Sequence, residues 1–290
     1  MSALTTVRAR PSLGARARGA AGQVVFYAVL LFVAAVIIVP LVYAVLSGFR
    51  STGQLAASSF ALPDPWLIDN YRAVLTSGAF WQAVWNSTLI AVLTMILTLV
   101  TSSLAAFVLA RYEFRGRAAL FTFFTLGLLF PLSVAILPLF LLLHDLGLLN
   151  NPWGIILPQV AFGLPTSIII LRPFFQSIPT EIEDAAALDG CTRFSFYWRI
   201  LMPMSRPALS TIAVLAVIGS WNAFLLPLIV VSADAQATLP LAVKNFSTQW
   251  SQDTARVLAF ATLSLVPALA FYVAAERQII AGLSSGAVKG

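Results

Sequence analysis

Charge is what this 290-residue chain has least of: Lys and Arg number 17 and Asp and Glu 11, together 10% of residues, against 60% hydrophobic ones. With a mean hydropathy of +0.92, that scarcity excludes an ordinary water-soluble domain and places the chain in the membrane class. Cysteine occurs once, as Cys191, which excludes an intrachain disulfide and a Cys-rich metal site; it reads as a small residue filling a tight turn. A GxxxxGK[ST] phosphate-binding loop is also missing, so the chain offers no ATP site of that kind. Neither a catalytic constellation nor a metal-ligand set is expected, and no cofactor of its own.

What is present is six charge-free runs: Val24–Phe49, Ala83–Ala110, Ala118–Leu143, Trp153–Leu171, Pro207–Ala233 and Val257–Ala275. Crossing the hydrocarbon takes about 20 apolar residues as helix. Backbone groups there must bond within their own segment, so runs of this length are helices rather than strands. The expected fold is an all-α polytopic membrane protein of six transmembrane helices. The first run, at 26 residues, exceeds the roughly 7–15 of a signal-peptide core and reads as a retained helix. Ahead of it, residues 1–23 form a basic arm expected to be disordered.

Basic residues are distributed unevenly between the two sides. With the N-terminus inside, Arg8, Arg10, Arg16, Arg18, Arg111, Arg115, Arg117, Arg172, Arg193, Arg199, Arg206, Arg277 and Lys289 fall on the inner side. Only Arg50, Arg72, Lys244 and Arg256 fall on the outer side. The positive-inside rule gives N-in and C-in. The net charge of +6 is thereby accounted for by topology and anionic headgroups, with no nucleic-acid partner required.

On the outer side, residues 50–82 carry Pro63, Pro65 and Trp66, then an amphipathic stretch around Tyr71, Phe80 and Trp81. They read as a loop plus a helix lying against the outer leaflet. The segment from Leu239 to Trp250 reads either as a surface for a soluble partner or as a lid loop. His144 and Asp145 sit at a span end and read as a capping or interfacial pair.

The inner loop, residues 172–206, holds the densest information. Thr180 and Glu183 fit a capping box behind Pro179, and Glu183 and Asp184 favour the positive end of the same helix. Ala185, Ala186 and Ala187 make a slim face that another surface can approach. Asp189-Gly190 is a turn dipeptide, with Gly190 suited to the left-handed conformation that ends a helix. Thr192 opens a second helix with an apolar stripe of Phe194, Tyr197, Trp198 and Leu201, flanked by Arg193 and Arg199. Pro203 ends it and Pro207 starts the next span. An acidic, Ala-rich helix–turn–helix in so apolar a chain reads as a docking element. The plainer reading is an amphipathic loop on the inner leaflet.

The run Asp184 to Gly190, followed by Ile200, Pro203 and Pro207, resembles the EAA loop of ABC-importer permease subunits. Within them it resembles the carbohydrate importers, and the maltose-permease subunit type that ends in a short cytoplasmic tail. Trp221, Asn222 and Phe224 resemble that type's fifth span, and Leu283–Gly290 its terminus. The likeness extends from Trp85 to Gly290. Asp184 stands where the family usually has Glu, Cys191 where Ala is common, and Met202 where Leu is usual. The resemblance implies a transmembrane domain over residues 83–281 and a tail over 282–290. It implies a coupling helix between spans 4 and 5, formed by Glu183, Asp184, Ala185, Ala186, Asp189 and Gly190 with Arg193 and Pro203, set into a cleft of an ATP-binding subunit dimer. Ser285, Gly286 and Lys289 of the tail would touch that dimer. ATP and Mg would be bound there and not by this chain. A second permease, an external sugar-binding protein, a sugar substrate and a bacterial inner-membrane location are implied as well.

The spans themselves contain no charge, which fits a neutral solute and speaks against a proton-coupled carrier. Ser220, Trp221 and Asn222 are candidates for a translocation path. Asn86, Ser102 and Ser103 read more plainly as interhelical hydrogen-bonding groups. A self-contained channel or carrier, or a membrane scaffold, are competing classes that would give no reason for the docking loop.

Overall fold

In the computed structural model, backbone is described for residues 13–246 and 253–287, and side chains for 22–244 and 253–273. Everything regular among the described residues is helical. Among the described residues four helices are long and apolar enough to cross a membrane, or up to six spans if each of two sharply bent pairs counts as one. The chain is thus a polytopic helical membrane protein.

The first helix, α1 (Leu13–Gly48), begins inside the basic segment that the sequence suggests is disordered. Residues 13–22 contain only Ala, Gly, Leu and Arg, with no proline among them. Beyond Gly48 come two short helices, α2 (Thr52–Ala57) and α3 (Asp69–Leu75). They fold back onto the chain, and the amphipathic stretch is divided between α3 and the start of the next long helix. Arg50 is buried and donates to the carbonyls of Gln54, Ser58 and Ser59, capping the C-terminal end of α2. Asn70 donates to Gly48 O at 3.0 Å and Arg50 O at 2.9 Å. Phe80 and Trp81 belong to the first turn of the long helix α4 (Gly78–Arg111).

The third run is broken, contrary to expectation. Helix α5 (Arg117–Leu126), with a short 3-10 turn to Leu129, meets α6 (Leu132–Asp145) at a bend of 101°. Phe130 is extended, as residues before proline tend to be, and Pro131 brings no N–H to continue the ladder. Helix α7 (Trp153–Ser177) follows, with α8 (Thr180–Leu188), α9 (Arg193–Phe196) and the one-turn α10 (Met202–Met204) leading into α11 (Arg206–Trp221). The fifth run is also not one helix: α11 stops at Trp221 and α12 (Leu225–Val230) resumes after a turn. Helix α14 (Thr254–Ala287) follows and runs past residue 282, where the family resemblance implies the start of the tail.

Two buried clusters organise the bundle along α4. One gathers Phe80 and Ile90 with Ile155, Ile156, Val230 and Phe260. It also takes in Leu239 and Ala242 of the short helix α13 (Leu239–Ala242). Leu239 N–H donates to Ser87 Oγ at 2.8 Å. The first part of the Leu239–Trp250 segment is therefore packed into the core; residues 247–252 lie outside the described set. The other cluster joins Ala106 and Phe107 to Phe175, Phe196, Tyr197 and Leu201, fastening the 172–206 loop to the opposite end of α4.

Candidate functional site

The loop begins where Ile178 and Pro179 turn extended after α7. Pro179, not Thr180, is the N-cap of α8, and no side chain caps it. The expected capping box is therefore absent. Its would-be second member, Glu183, is engaged elsewhere: a carboxylate oxygen lies 3.7 Å from Arg111 Nε. Helix α8 ends as the sequence suggests. Gly190 has φ +79°, Cys191 N–H donates to Ala186 O at 2.8 Å and Gly190 N–H to Ala187 O at 3.0 Å. These are the paired bonds of a Schellman turn. Ala186 is buried, while Asp184, Ala185, Ala187, Leu188, Asp189 and Gly190 face outward. Leu188 is 90% exposed, an unusual place for a leucine at a helix end.

Thr192 caps α9, its hydroxyl accepting from Ser195 N–H at 3.2 Å. The stripe then divides in a way the sequence does not suggest. Phe196, Tyr197 and Leu201 are buried, whereas Phe194 and Trp198 are exposed. Between Tyr197 and Leu201 the helix widens to a π turn, with Met202 N–H donating to Tyr197 O. Pro203 has no N–H for the carbonyl four residues earlier, which favours this wider turn. The helix continues to Met204, one residue past Pro203, before an 80° bend at Ser205.

Two arginines, Arg111 and Arg172, tie this loop to the C-terminal end of α4, and Arg117 ties the start of α5 to the same place. Arg111, whose side chain is 3% exposed, donates through an Nη to Ile178 O at 2.9 Å in addition to facing Glu183. Arg117 and Arg172 both donate to Leu109 O, at 2.9 and 3.2 Å. These satisfy carbonyls that a helix end leaves open and complement its partial negative charge. The Arg193 guanidinium lies over the Tyr112 ring at 4.8 Å. Burial, and then the nearby Glu183 carboxylate, push the Tyr112 phenol above its ordinary range. Deeper in, Tyr197 OH and Ser103 Oγ are 2.6 Å apart and buried.

Of the proposed path residues, Ser220 alone lines a cavity, of about 420 Å³, between α4, α7 and α11. Trp221 packs against the hydrophobic core, and Asn222 is turned back, its Nδ2 donating to Ile218 O at 2.9 Å. The cavity wall includes Thr94, Thr98, Gln159, Thr166 and Ser167, which sequence reasoning passed over. Their spacing is a signal that was there: Thr94 and Thr98 are four apart in a charge-free run, and so share one face. Asn86 donates to Ala235 O and Ala237 O, and Ser103 shares a hydrogen bond with Tyr197 of the loop, as structural bonds. His144 and Asp145 form an exposed pair at 3.2 Å. Ser285 and Gly286 fall in the helical backbone of α14, whose side chains there are not described, and Lys289 lies outside the described residues.

Residues 100–278 match the family model described as binding-protein-dependent transport system inner membrane component. The diacetylchitobiose uptake system permease protein NgcG of Streptomyces coelicolor is 34% identical over 263 residues, covering 90% of this chain and 87% of that protein. The trehalose transport system permease protein SugB of Mycobacterium tuberculosis is 36% identical, covering 79% and 84%. The arabinooligosaccharides transport system permease protein AraQ of Halalkalibacterium halodurans is 32% identical, covering 89% and 94%. A crystal structure of a bacterial ABC transporter involved in the import of the acidic polysaccharide alginate shares the fold, with a TM-score of 0.78 at 23% identity over 93% of this chain and 99% of that one. A second structure of a bacterial alginate ABC transporter, in complex with an alginate pentasaccharide-bound periplasmic protein, aligns with a TM-score of 0.65 at 16% identity over 89% and 94%. The chain belongs to the family of binding-protein-dependent transport system inner membrane components, the permease subunits of ABC importers.

Proposed function

We propose that this chain is one permease of an ATP-driven, binding-protein-dependent importer of a neutral mono- or oligosaccharide, in a bacterial inner membrane. Six crossings with both termini inside place the 172–206 loop in the cytoplasm, following the asymmetry of basic residues. There α8, Asp189, Gly190 and Arg193 dock into a separate ATP-binding subunit, which holds ATP and Mg; a second permease completes the membrane pathway. The observation that carries this reading is the outward-facing turn at Leu188–Gly190, set by the left-handed Gly190 and bolted to α4 through Arg111. An exposed leucine on a rigid, acidic, slim helix is suited to fill a partner's cleft. A loop fixed at its back to a membrane-spanning helix can pass a push from that partner into the bundle. The sugar class rests on the relatives' printed substrates and on spans without charge, since a charged solute would require a compensating group at membrane depth.

Reconstitution tests it. The chain, its partner permease and the ATPase subunit are placed in liposomes, with binding protein outside and ATP inside, and offered labelled trehalose, N,N′-diacetylchitobiose and arabinotriose. Uptake of at least one sugar should require both ATP and binding protein. Uptake driven by a proton or sodium gradient without ATP would refute the importer reading.

A further inference from the structure

Between α2 and α3 the chain exposes Phe60, Leu62, Trp66 and Ile68 together, Phe60 at 86%. Large apolar side chains grouped on a surface in this way mark a contact. Asp64 is the single ionisable residue from Ser51 to Ile68, so the segment offers little to a charged partner. The loop is also firmly held. Leu67 N–H donates to Phe49 O at 2.7 Å, the Trp66 ring lies 5.3 Å from that of Phe49, and the Gln54 amide donates to Asp64 O. Of the aromatic residues that follow, Tyr71 turns inward, its hydroxyl donating to Val45 O at 2.7 Å, and Phe80 is buried.

The level of the loop decides what it meets. The rings of Phe60 and Tyr43 are 6.0 Å apart. Tyr43 precedes Gly48, the last residue of α1, by five positions, or about 7.5 Å at the helical rise of roughly 1.5 Å per residue. Around it α1 exposes Leu41, Val42 and Val45, all apolar. Trp66, and Trp81 and Trp85 early in α4, are exposed as tryptophans at a membrane–water border are. The backbone suits that level as well. Irregular chain cannot approach hydrocarbon with its carbonyls unbonded. Arg50, itself buried, donates to the carbonyls of Gln54, Ser58 and Ser59.

We propose that residues 58–68 are a lipid anchor: Phe60 and Leu62 enter the leaflet at the Gly48 end of α1, with Trp66 and Ile68 at its border. The inference needs α1 to cross the membrane and does not depend on what the transporter carries. With α1 in a bilayer, the level of Tyr43 is out of reach of a soluble partner. A second membrane helix packs closely where small residues let it approach, whereas this loop presents protruding Phe and Leu side chains. Insertion into a leaflet asks for bulky apolar groups and a tryptophan at the border, and both are there. From Ser51 to Tyr71 there is no Lys or Arg, so zwitterionic headgroups suffice and anionic ones add nothing. Inserted, the loop fixes the depth of the α1 end to which Leu67 and Tyr71 are bonded.

Spin labels give the test. Phe60→Cys in a Cys191→Ser chain, assembled with the partner permease and ATPase in phosphatidylcholine nanodiscs, carries a nitroxide. Its collision rates with oxygen and with a water-soluble nickel chelate are measured. Val36→Cys, on the exposed surface of α1, and Ala235→Cys, exposed outside the spans, serve as the lipid and water references. The oxygen-to-nickel ratio at position 60 should exceed that at position 235 about threefold, and adding phosphatidylglycerol should leave it unchanged. Phe60→Ser with Leu62→Ser alters exposed side chains only, so the melting temperature should hold. Nickel collisions at a nitroxide on Ile68→Cys in that background should about double as the border residues leave the leaflet. A ratio at position 60 equal to the water reference would overturn the anchor. So would low rates for both reagents, which mean that protein covers the loop; oxygen access regained without the partner permease would then name that permease as the cover. Unchanged nickel collisions at position 68 in the double variant, or a water ratio at position 36, would overturn it as well.

Discussion

Replacing Arg111 by Met should weaken the attachment of the 172–206 loop to α4 while leaving the bundle assembled. The side chain is 3% exposed and makes two kinds of contact, a 2.9 Å bond to Ile178 O and a 3.7 Å approach to Glu183. A hydrogen bond from a charged donor contributes about 1.5–3 kcal/mol. The Glu183 contact is worth less, on the order of 0–1 kcal/mol, because that carboxylate is 26% exposed and partly screened by water. Met keeps most of the aliphatic stem, so the net loss in loop attachment should be about 2–3 kcal/mol, or ~30–150-fold in the docked population. Glu183→Gln removes the weaker contact alone and should cost less than about 1 kcal/mol. The assay is hydrogen exchange over residues 178–192 in the assembled complex, together with sugar molecules imported per ATP hydrolysed. Arg111→Met should speed exchange and lower that ratio well below the Glu183→Gln value. Equal exchange and equal ratios in Arg111→Met and the unmodified chain would refute the reasoning.

Other outcomes follow from neighbouring contacts. Gly190→Val forces a branched residue to φ +79°, costing about 1–2 kcal/mol; affinity copurification should show loss of the ATPase subunit from an otherwise inserted chain. Leu188→Glu alters only an exposed side chain, so the melting temperature of the isolated chain should hold while copurification falls. Tyr197→Phe breaks the buried pair with Ser103 and should destabilise by about 1 kcal/mol, read as a lower melting temperature. For topology, cysteines at Ser58, Ala235 and Ser284 in a Cys191→Ser chain should divide under an impermeant thiol reagent on intact cells, the first two labelling and the third not. Ala235 is used because the nearby Thr238 is buried.

Local chemistry made the turn at Gly190 legible. Asp189-Gly190 and the Thr192 cap need only a few neighbouring residues to work, and both stand where the sequence puts them. The helical runs were legible for the same reason, since hydropathy acts residue by residue. Their breaks were not. Pro40, Pro138, Pro158, Pro165, Pro173 and Pro267 all sit inside continuing helices, while Pro131 marks a 101° bend. Proline permits a break, and packing against other helices decides whether it occurs. The Phe194–Leu201 stripe failed because a π turn changes the period on which a 3.6-residue reading depends. The cavity could not be read from one segment, as Thr98, Gln159 and Ser220 meet only after three helices pack. Trp221 and Asn222 have suitable chemistry for a sugar path, yet the end of α11 turns one into the core and the other back on its own helix.

The account depends most on what touches Leu188. A photoreactive benzoylphenylalanine at that position, in the intact transporter, should cross-link to the ATP-binding subunit, and Gly190→Val should abolish the product. Cross-linking only to lipid, or to no protein, in a complex that still imports sugar with ATP would contradict the docking role of this loop.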